Sequence, residues 1–370
     1  MQRLIKIVLG LFSLITSSAL AQNSLSKYAV DASIFYGSTL EHNSEIAHLL
    51  SEHPTGFLLS WNKTLNPKDY WSYKNRYPEL GFSFSYHQSH LKALGRNYGL
   101  YGHINWYFAS RYLQLKLAQG IAYADNPYHP DKNYRNNAYG SRLLSATRLE
   151  LSFIKQNIWQ GVGIHTGLGI VHYSNGGTKR PNTSANTWYA HIGLRYHWDE
   201  VQIPDASTLY WDRADELTTL RYEVIVRGGR NQAGIGMPKR GFFVLSSSLG
   251  KRWTFRSGWR AGVEYFLSPF LNDHIRFRSV AYPEYDISDK ENPSRVGVFA
   301  GYDMYVSDAL SLFVDLGYYV YWPFEYERRY YNRAGIKYQI NEGPFFALID
   351  VKAHYSRAES LELGVGYRFL

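Results

Sequence analysis

The fold class is decided by a run of nine residues in the first half of the chain, Leu100-Tyr101-Gly102-His103-Ile104-Asn105-Trp106-Tyr107-Phe108. The even-numbered positions are apolar or Gly, whereas every odd-numbered side chain carries a hydroxyl, imidazole or amide group. A period of two is the period of a β-strand, because successive side chains of a strand point to opposite faces. The run therefore predicts a strand with one apolar face and one polar face.

The same alternation recurs along the chain, for example at 80–87, 113–118 and 148–153. We count eight such strands before residue 200 and eight more from residue 218 onwards. These strands would expose many apolar faces with no helix to cover them, so lipid is the partner that buries them best. The predicted fold class is all-β, a transmembrane antiparallel up-and-down β-barrel of about 16 strands.

The composition supports a membrane barrel. Aromatic residues make up 17% of the 370 residues, with 33 Tyr, 10 Trp and 19 Phe, and yet the mean hydropathy is −0.36. A barrel combines aromatic girdles and a lipid-facing band with polar residues in its lumen. After residue 22 no run of about 18 apolar residues occurs, which argues against transmembrane helices. Because the chain has no Cys, an exported form would depend on its hydrogen-bonded sheet instead of disulfides.

The N-terminus has the features of a secretory signal peptide, which we predict to span residues 1–21. Arg3 and Lys6 precede a largely apolar run that ends at Ala19-Leu20-Ala21, a small-x-small cleavage sequence. Export together with a barrel predicts the outer membrane of the Gram-negative cell envelope.

The two sets of strands resemble a tandem duplication, with repeats at 22–198 and 218–370. The segment between them, 199–217, is acidic and is predicted to be a periplasmic linker. The repeats either close two eight-stranded barrels or share one wide sixteen-stranded barrel. We prefer two barrels, because predicted inner positions are often small, such as Gly167 and Gly169, or oppositely charged, such as Arg148 and Glu150. The long polar segment 63–77 does not fit the short turns predicted at the periplasmic side.

The charge balance favours an anionic lipid partner. The formal net charge is +9, and export argues against nucleic acid, so we predict lipid A or lipopolysaccharide and the lipid of the outer membrane as partners. The scattered His residues predict no metal site, and no sequence feature predicts a cofactor. The oligomeric state is not indicated by the sequence.

Polar residues at the end of one strand form the candidate chemical site. The lipid-facing row Val162, Ile164, Leu168 and Ile170 continues into His172 and Ser174. Polar groups at such positions are costly unless they are paired or used. Residues two apart on a strand share one face about 7 Å apart, so His172 could take the proton of Ser174 as a base does in acyl transfer.

The hairpin that follows offers the remaining groups of such a site. Asn186, at the start of the next strand, could orient the imidazole of His172. Asn175 and Asn182 could donate to a developing oxyanion, and Lys179 and Arg180 could hold a lipid phosphate.

The string His-Tyr-Ser-Asn-Gly-Gly-x-Lys-x-Pro-Asn at 172–182 resembles the signature of the lipid A 3-O-deacylase (PagL-like, acyloxyacyl hydrolase) family. The resemblance covers about 28–198 and implies an eight-stranded outer-membrane barrel that hydrolyses an ester-linked acyl chain of lipid A. It implies Ser174 as nucleophile, His172 as base, and supporting or oxyanion roles for Asn175 and Asn182. The family has Glu at the position of Asn186, and Asn supplies no negative charge.

The second repeat contains a similar triplet, His354-Tyr355-Ser356, in a different context. There the apolar residues occupy the other phase, so His354 shares its face with Asp350 and Lys352. We interpret this copy as a degenerate, non-catalytic duplicate. The alternative for the whole chain is a non-catalytic barrel, either a pore or a structural protein of the outer membrane.

Overall fold

The alternating segments form sixteen antiparallel strands that close into two separate eight-stranded barrels. The computed structural model describes residues 25–42, 44–201, 209, 217, 219–341, 343–355 and 357–369. In each barrel every strand pairs with its neighbour along the chain, and the first strand pairs with the last. The preferred arrangement of two small barrels is confirmed, and a single wide barrel is not formed by the described strands.

The first barrel consists of β1 Leu25–Leu40, β2 Thr55–Thr64, β3 Glu79–Gln88, β4 Arg96–Phe108, β5 Leu113–Ala124, β6 Leu143–Trp159, β7 Val162–Ser174 and β8 Ala185–Val201. The second barrel consists of β9 Leu220–Asn231, β10 Arg240–Arg252, β11 Ser257–Leu267, β12 Arg295–Tyr305, β13 Leu310–Tyr321, β14 Tyr330–Gln339, β15 Phe345–His354 and β16 Arg357–Phe369. The helices are α1 Tyr70–Lys74 and α2 Phe270–Ala281, with short 3₁₀ helices at Ser44–Leu49 and Pro283–Tyr285. None of the described helices has the length and apolar character needed to cross a membrane.

Helix α1 accounts for the long polar segment 63–77 that does not fit a compact turn. The Asp69 carboxylate accepts hydrogen bonds from the backbone N–H groups of Trp71 and Ser72, at 3.4 and 3.2 Å. Such a side-chain cap satisfies donors that the first helical turn leaves free. The segment between β2 and β3 is therefore an ordered helical connection.

Ion pairs fill the lumen of the first barrel. The guanidinium of Arg195 lies 3.1 Å from Asp31 Oδ1 and 2.6 Å from Glu79 Oε1. The hydroxyl of Tyr107 donates to Glu79 Oε2 at 2.6 Å. These side chains are all buried. Charges at such depth persist only when they are paired and hydrogen-bonded.

The second barrel holds a denser network of the same kind. Arg333 Nη1 lies 2.7 Å from Glu264 Oε1, and Arg333 Nε lies 3.1 Å from both Asp350 Oδ1 and Glu362 Oε2. Arg227 Nε approaches the other oxygen of Asp350 at 3.0 Å. Side chains therefore plug both lumens, as expected of eight-stranded barrels.

The outer surface of both barrels is a belt of exposed apolar side chains. Phe82 and Leu168 of the first barrel are 70% and 61% exposed, and Leu316 and Leu363 of the second are 68% and 61% exposed. A polar, charged interior with an apolar exterior is the reverse of a soluble protein and matches a membrane barrel.

The two barrels touch at both ends. At the end with the tight turns, the indole N–H of Trp71 in α1 donates to the carbonyl of Tyr305 at 2.7 Å, and Tyr70 packs edge-on against Phe255. At the end with the long loops, the β7–β8 loop lies against Gln232 and Tyr326 of the second barrel. The candidate site is in this second contact.

The predicted signal peptide and linker lie mostly in parts of the chain that the structure does not describe. The signal peptide expected at 1–21 and most of the linker expected at 199–217 lie outside the described residues, as does Ser356. Strand β8 runs on to Val201, so the first residues assigned to the linker belong to the barrel. Strand β9 begins at Leu220.

Candidate active site

The predicted site residues lie on the β7–β8 hairpin at the loop-rich end of the first barrel. Strand β7 ends with Ser174, and β8 begins with Ala185. In β7 the side chains of Ile164, Leu168 and Ile170 face outward and are exposed, while Val171 and Tyr173 face the lumen and are buried. His172 and Ser174 share the phase of the outward row. The structure thus places both side chains on the outer face.

The hydrogen-bonding register brings His172 and Asn186 together. The two residues are direct cross-strand partners on β7 and β8. His172 Nδ1 lies 2.7 Å from Asn186 Oδ1. Because the amide oxygen can only accept, this contact requires the proton of the imidazole to be on Nδ1. The other ring nitrogen, Nε2, then carries the lone pair that can accept a proton.

Ser174 is held by a different set of groups. Asn182 Nδ2 donates to Ser174 Oγ at 3.0 Å, and the backbone N–H of Gly176 donates to the same oxygen at 3.1 Å. Asn182 Oδ1 in turn accepts the backbone N–H of Asn175 at 2.9 Å. Ser174 and His172, both described, form no hydrogen bond with each other. The Ser174 hydroxyl donates instead to Asn182 Oδ1 at 3.2 Å. Catalytic hydrogen bonds often form only when substrate binds.

Asn175 supports the loop through its own side chain. Its Nδ2 donates to the carbonyl of Lys179 at 2.6 Å, and its Oδ1 accepts from the backbone N–H of Gly177 at 3.1 Å. Both ends of the amide are thus bonded within the loop, which is the usual role of Asn in a turn. Asn182 is the amide that contacts Ser174 directly.

Two glycines let the loop approach the second barrel. Gly176 and Gly177 have φ angles of 62° and 77°, in the left-handed region that glycine adopts without strain. A Cβ on Gly177 would lie 2.2 Å from the carbonyl oxygen of Glu359, and one on Gly176 would lie 2.9 Å from Leu361 Cβ. Only glycine fits both the turn and this close contact.

The proposed site is buried where this loop meets the second barrel. Ser174, Asn175 and Asn182 are 3%, 3% and 6% exposed, although they lie on or beside the outer face of the first barrel. The side-chain oxygen of Gln232 accepts the backbone N–H of Arg180 at 2.8 Å. The site is therefore built from both barrels, which the sequence did not predict.

The two basic residues of the loop have different surroundings. Arg180 is buried, and its guanidinium donates to the carbonyl of Gln232 at 3.3 Å and to the hydroxyl of Tyr326 at 3.0 Å. Lys179 is half-buried. Burial, together with repulsion from Lys179 and Arg230, lowers the pKa of Lys239 in the β9–β10 loop. Cations from both barrels thus gather beside the loop.

Other polar residues of the outer face were not singled out in the sequence. Gln119 on β5 donates to Ser145 Oγ at 3.0 Å and accepts from Thr147 Oγ1 at 2.5 Å. Ser145 and Thr147 are the register partners of Ser174 and His172. Their alternation signals an outer position, but only the register shows that they form one polar patch with the candidate site.

The second copy of the His-x-Ser triplet is arranged differently. His354 is buried inside its barrel, with Nδ1 2.8 Å from the carbonyl of Tyr330 and Nε2 2.6 Å from Glu359 Oε2. This inward position agrees with the predicted change of face. In the parts of the chain that the structure describes, no group of three or more His, Asp or Glu side chains could hold a metal ion.

Family models match both halves of the chain. Residues 55–195 match the model described as lipid A 3-O-deacylase (PagL), and residues 220–370 match the model described as acyloxyacyl hydrolase, C-terminal domain. The matches follow the two barrels, and together they cover well over half of the chain.

Solved structures of outer-membrane barrels are similar to parts or most of the chain. The outer membrane enzyme PagL is 18% identical over 44% of this chain and 97% of its own, with a TM-score of 0.31. Neisserial surface protein A is 11% identical over 47% of this chain and 98% of its own, with a TM-score of 0.30. The Acinetobacter baumannii outer membrane protein Omp33 is 8% identical over 93% of this chain and 98% of its own, with a TM-score of 0.20. A search of curated proteins finds no match.

Proposed function

Because the chain belongs to the lipid A 3-O-deacylase (PagL) family, we propose that it hydrolyses an ester-linked acyl chain of lipid A, with Ser174 as nucleophile and His172 as base. Its location is the outer membrane of Gram-negative bacteria. The observation that carries the proposal is the 2.7 Å contact between His172 Nδ1 and Asn186 Oδ1 on the outer face. His172 is two residues before Ser174 on the same strand. The outer face adjoins the bilayer that holds a lipid substrate, and the loop that buries Ser174 has to move aside for the ester to reach it.

The proposed reaction has two steps. His172 Nε2 takes the proton of Ser174 while Ser174 Oγ attacks the ester carbonyl, and the same nitrogen returns the proton to the departing sugar hydroxyl. Water then attacks the acyl-enzyme while His172 Nε2 takes its proton; the bond to Ser174 Oγ breaks, the same nitrogen returns the proton to Ser174, and the fatty acid is released. Asn186 holds the imidazole in the tautomer that both steps need.

Two donors beside Ser174 are suited to an oxyanion. The backbone N–H of Gly176 and Nδ2 of Asn182 donate to Ser174 Oγ at 3.1 and 3.0 Å, and we propose that they turn to the carbonyl oxygen once Ser174 attacks the ester. Preorganised donors of this kind stabilise a tetrahedral intermediate, and each contributes about 3 kcal/mol in other hydrolases. Asn175 acts one step further away, because its amide is bonded within the loop.

Cations near the loop are suited to the phosphates of lipid A. Lys179 is the loop residue proposed to contact a phosphate. Lys239 of the second barrel lies near enough to Lys179 for the repulsion between the two ammonium groups to lower the pKa of Lys239. Arg180 is a second proposed phosphate contact, and its guanidinium also donates to Gln232 and Tyr326 of the second barrel.

The test is mass spectrometry of lipid A from cells that express the full chain or its Ser174→Ala variant. Ser152→Ala is the matched control, because Ser152 faces the lumen and is buried beside His191. We expect the wild type and Ser152→Ala to remove one hydroxyacyl mass, and Ser174→Ala to leave lipid A intact. Deacylation that persists in Ser174→Ala would refute the role of this serine.

A non-catalytic barrel is the second candidate. It is favoured by the uncharged Asn186 and by the burial of Ser174 without a hydrogen bond to His172. An unchanged lipid A profile with well-folded wild-type protein in the outer membrane would select it. The lumens of the described barrels are filled by side chains, which argues against the pore version of this candidate.

A further inference from the structure

A large apolar cavity lies between the two barrels, at the end with the tight turns. Its volume is about 830 Å³. One wall comes from the first barrel, from β1 to β5 and the end of β8, and the other comes from β13, β14 and the turn before β13. The apolar side chains that face each other across it are Trp61, Ile104 and Leu117 on one wall and Leu310, Leu312 and Ile336 on the other.

The cavity borders a direct contact between the barrels. Trp71, Ile104 and Val306 form a buried apolar cluster, and Leu80 and Leu312 pack against it. Because the cavity is lined by residues of two lipid-facing belts, it opens where acyl chains surround the protein. Apolar chains in the cavity would make van der Waals contacts with the lining side chains, and these contacts are missing when the cavity is empty.

Two lysines stand at the rim of the cavity. Lys27 and Lys63 both line it, and Lys63 is the register partner of Tyr28, the residue after Lys27. The ammonium of Lys27 lies 5.2 Å from the centre of the Tyr28 ring. Neither lysine forms an ion pair with a described residue, and both are exposed. The charge at this rim is thus available to an anionic headgroup.

A polar layer separates the cavity from the candidate active site. Gln119 lines the cavity, and its hydrogen bonds to Ser145 and Thr147 connect it to the partners of Ser174 and His172. An acyl chain of a substrate held at Ser174 would have to cross these bonded amide and hydroxyl groups, which is costly. The cavity and its lysines therefore favour a lipid that enters from the tight-turn side.

We propose that the space between the barrels binds an anionic glycerophospholipid, with its acyl chains between the two apolar walls and its phosphate at Lys27 and Lys63. The proposal does not depend on the esterase function. The bound lipid would act as a wedge that completes the packing between the barrels next to the Trp71 contact.

The test is native mass spectrometry of the full chain in detergent, titrated with phosphatidylglycerol as the probe. We expect the wild type to retain one phosphatidylglycerol, and the double variant Lys27→Gln/Lys63→Gln to bind it at least tenfold more weakly. Lys68→Gln is the matched control, because Lys68 is exposed at the same end but does not line the cavity. Equal affinity in the double variant and in Lys68→Gln would overturn the headgroup assignment.

A second variant pair tests the acyl-chain part. Leu312→Trp puts a bulky ring where the acyl chains would lie and should weaken retention of the lipid at least tenfold, whereas Leu316→Trp adds the same side chain at an exposed position of the same strand and should not. Equal retention in Leu312→Trp and Leu316→Trp would overturn the proposal. So would displacement of phosphatidylglycerol by lipid A in the Ser174→Ala protein, since the cavity would then belong to the substrate.

Discussion

At the scale of single residues, one amide decides how the candidate site could work. Asn186 Oδ1 accepts the Nδ1 proton of His172 and so orients the ring. It brings no charge to the imidazolium that forms when His172 takes a proton. In serine hydrolases this charge is normally supplied by a carboxylate, whose loss greatly lowers turnover.

We predict that Asn186→Glu raises the turnover of lipid A deacylation by about tenfold, because a carboxylate at this position stabilises the imidazolium. Asn186→Gln is the control, since it has the length of Glu without the charge. The measurement is the initial rate of fatty acid release by the purified protein in detergent. If Asn186→Gln released fatty acid as fast as Asn186→Glu, the length of the side chain, and not its charge, would limit the rate.

At the scale of elements, the β7–β8 hairpin depends on the second barrel for its shape. Gly177 and Gly176 bring the loop within contact of Glu359 and Leu361, and Gln232 binds the backbone of Arg180. The loop carries Asn182, which holds Ser174. The second barrel therefore contacts the loop that carries Asn182.

We predict that Gln232→Ala lowers kcat by about tenfold with little change in KM. The variant removes a hydrogen bond that holds the β7–β8 loop, and a displaced loop would misplace the reacting groups. Gln232→Glu keeps the acceptor for the Arg180 N–H but loses the donor to the Met237 carbonyl, so it should restore part of the rate. Gln339→Ala removes a Gln from β14 of the same barrel as a control. The melting temperature of each variant is measured beside its kcat. If kcat fell in proportion to the melting temperature in all three variants, the loss of rate would be explained by lower stability alone.

Helix α2 should respond to pH through His274. The ring of His274 packs against Tyr326, whose hydroxyl binds Arg180. Burial, with repulsion from Arg278 and Arg180, lowers the pKa of His274 to about 4. Because the folded pKa lies below the unfolded value of about 6.5, the neutral ring stabilises the packing fully above pH 6.5, and this stabilisation is lost as the pH falls towards 4.

We predict that hydrogen exchange in α2 becomes about tenfold faster at pH 4 in the wild type than in His274→Phe, whose ring cannot take a proton. At pH 7.5 the two proteins should exchange at similar rates. The comparison at each pH removes the intrinsic pH dependence of exchange. A ratio that stays constant from pH 7.5 to pH 4 would contradict the role of His274.

At the scale of the whole molecule, two plugged barrels replace one open pore. Each lumen is crossed by buried ion pairs, centred on Arg195 in the first barrel and on Arg333 in the second. Removing one partner from such a network leaves an uncompensated charge, which costs about 3–5 kcal/mol. The networks therefore close the lumens and resist opening.

We predict that the full chain forms no stable conductance in planar bilayers, because neither eight-stranded lumen has room for a water-filled path. A sixteen-stranded porin in the same bilayer is the positive control. Stable unitary currents from the purified chain would contradict this prediction and would favour the pore reading of the non-catalytic candidate.

The sequence by itself determined the properties that depend on local periodicity. Period-two alternation identified the strands, and the phase of β7 put His172 and Ser174 on the outer face, because side-chain direction in a strand follows from position alone. The sequence also placed Asn186 at the start of the strand that follows the hairpin, and the register of the structure makes it the cross-strand partner of His172.

The closure of the barrels and the contacts of the β7–β8 loop with the second barrel follow from long-range packing. Whether sixteen strands form one barrel or two depends on whether β8 pairs with β1, and local pattern is the same in both cases. The contacts of Gly177 with Glu359 and of Arg180 with Gln232 join residues far apart in the chain. Such contacts depend on which outer faces of the two folded barrels pack against each other. The local sequence pattern does not encode this packing.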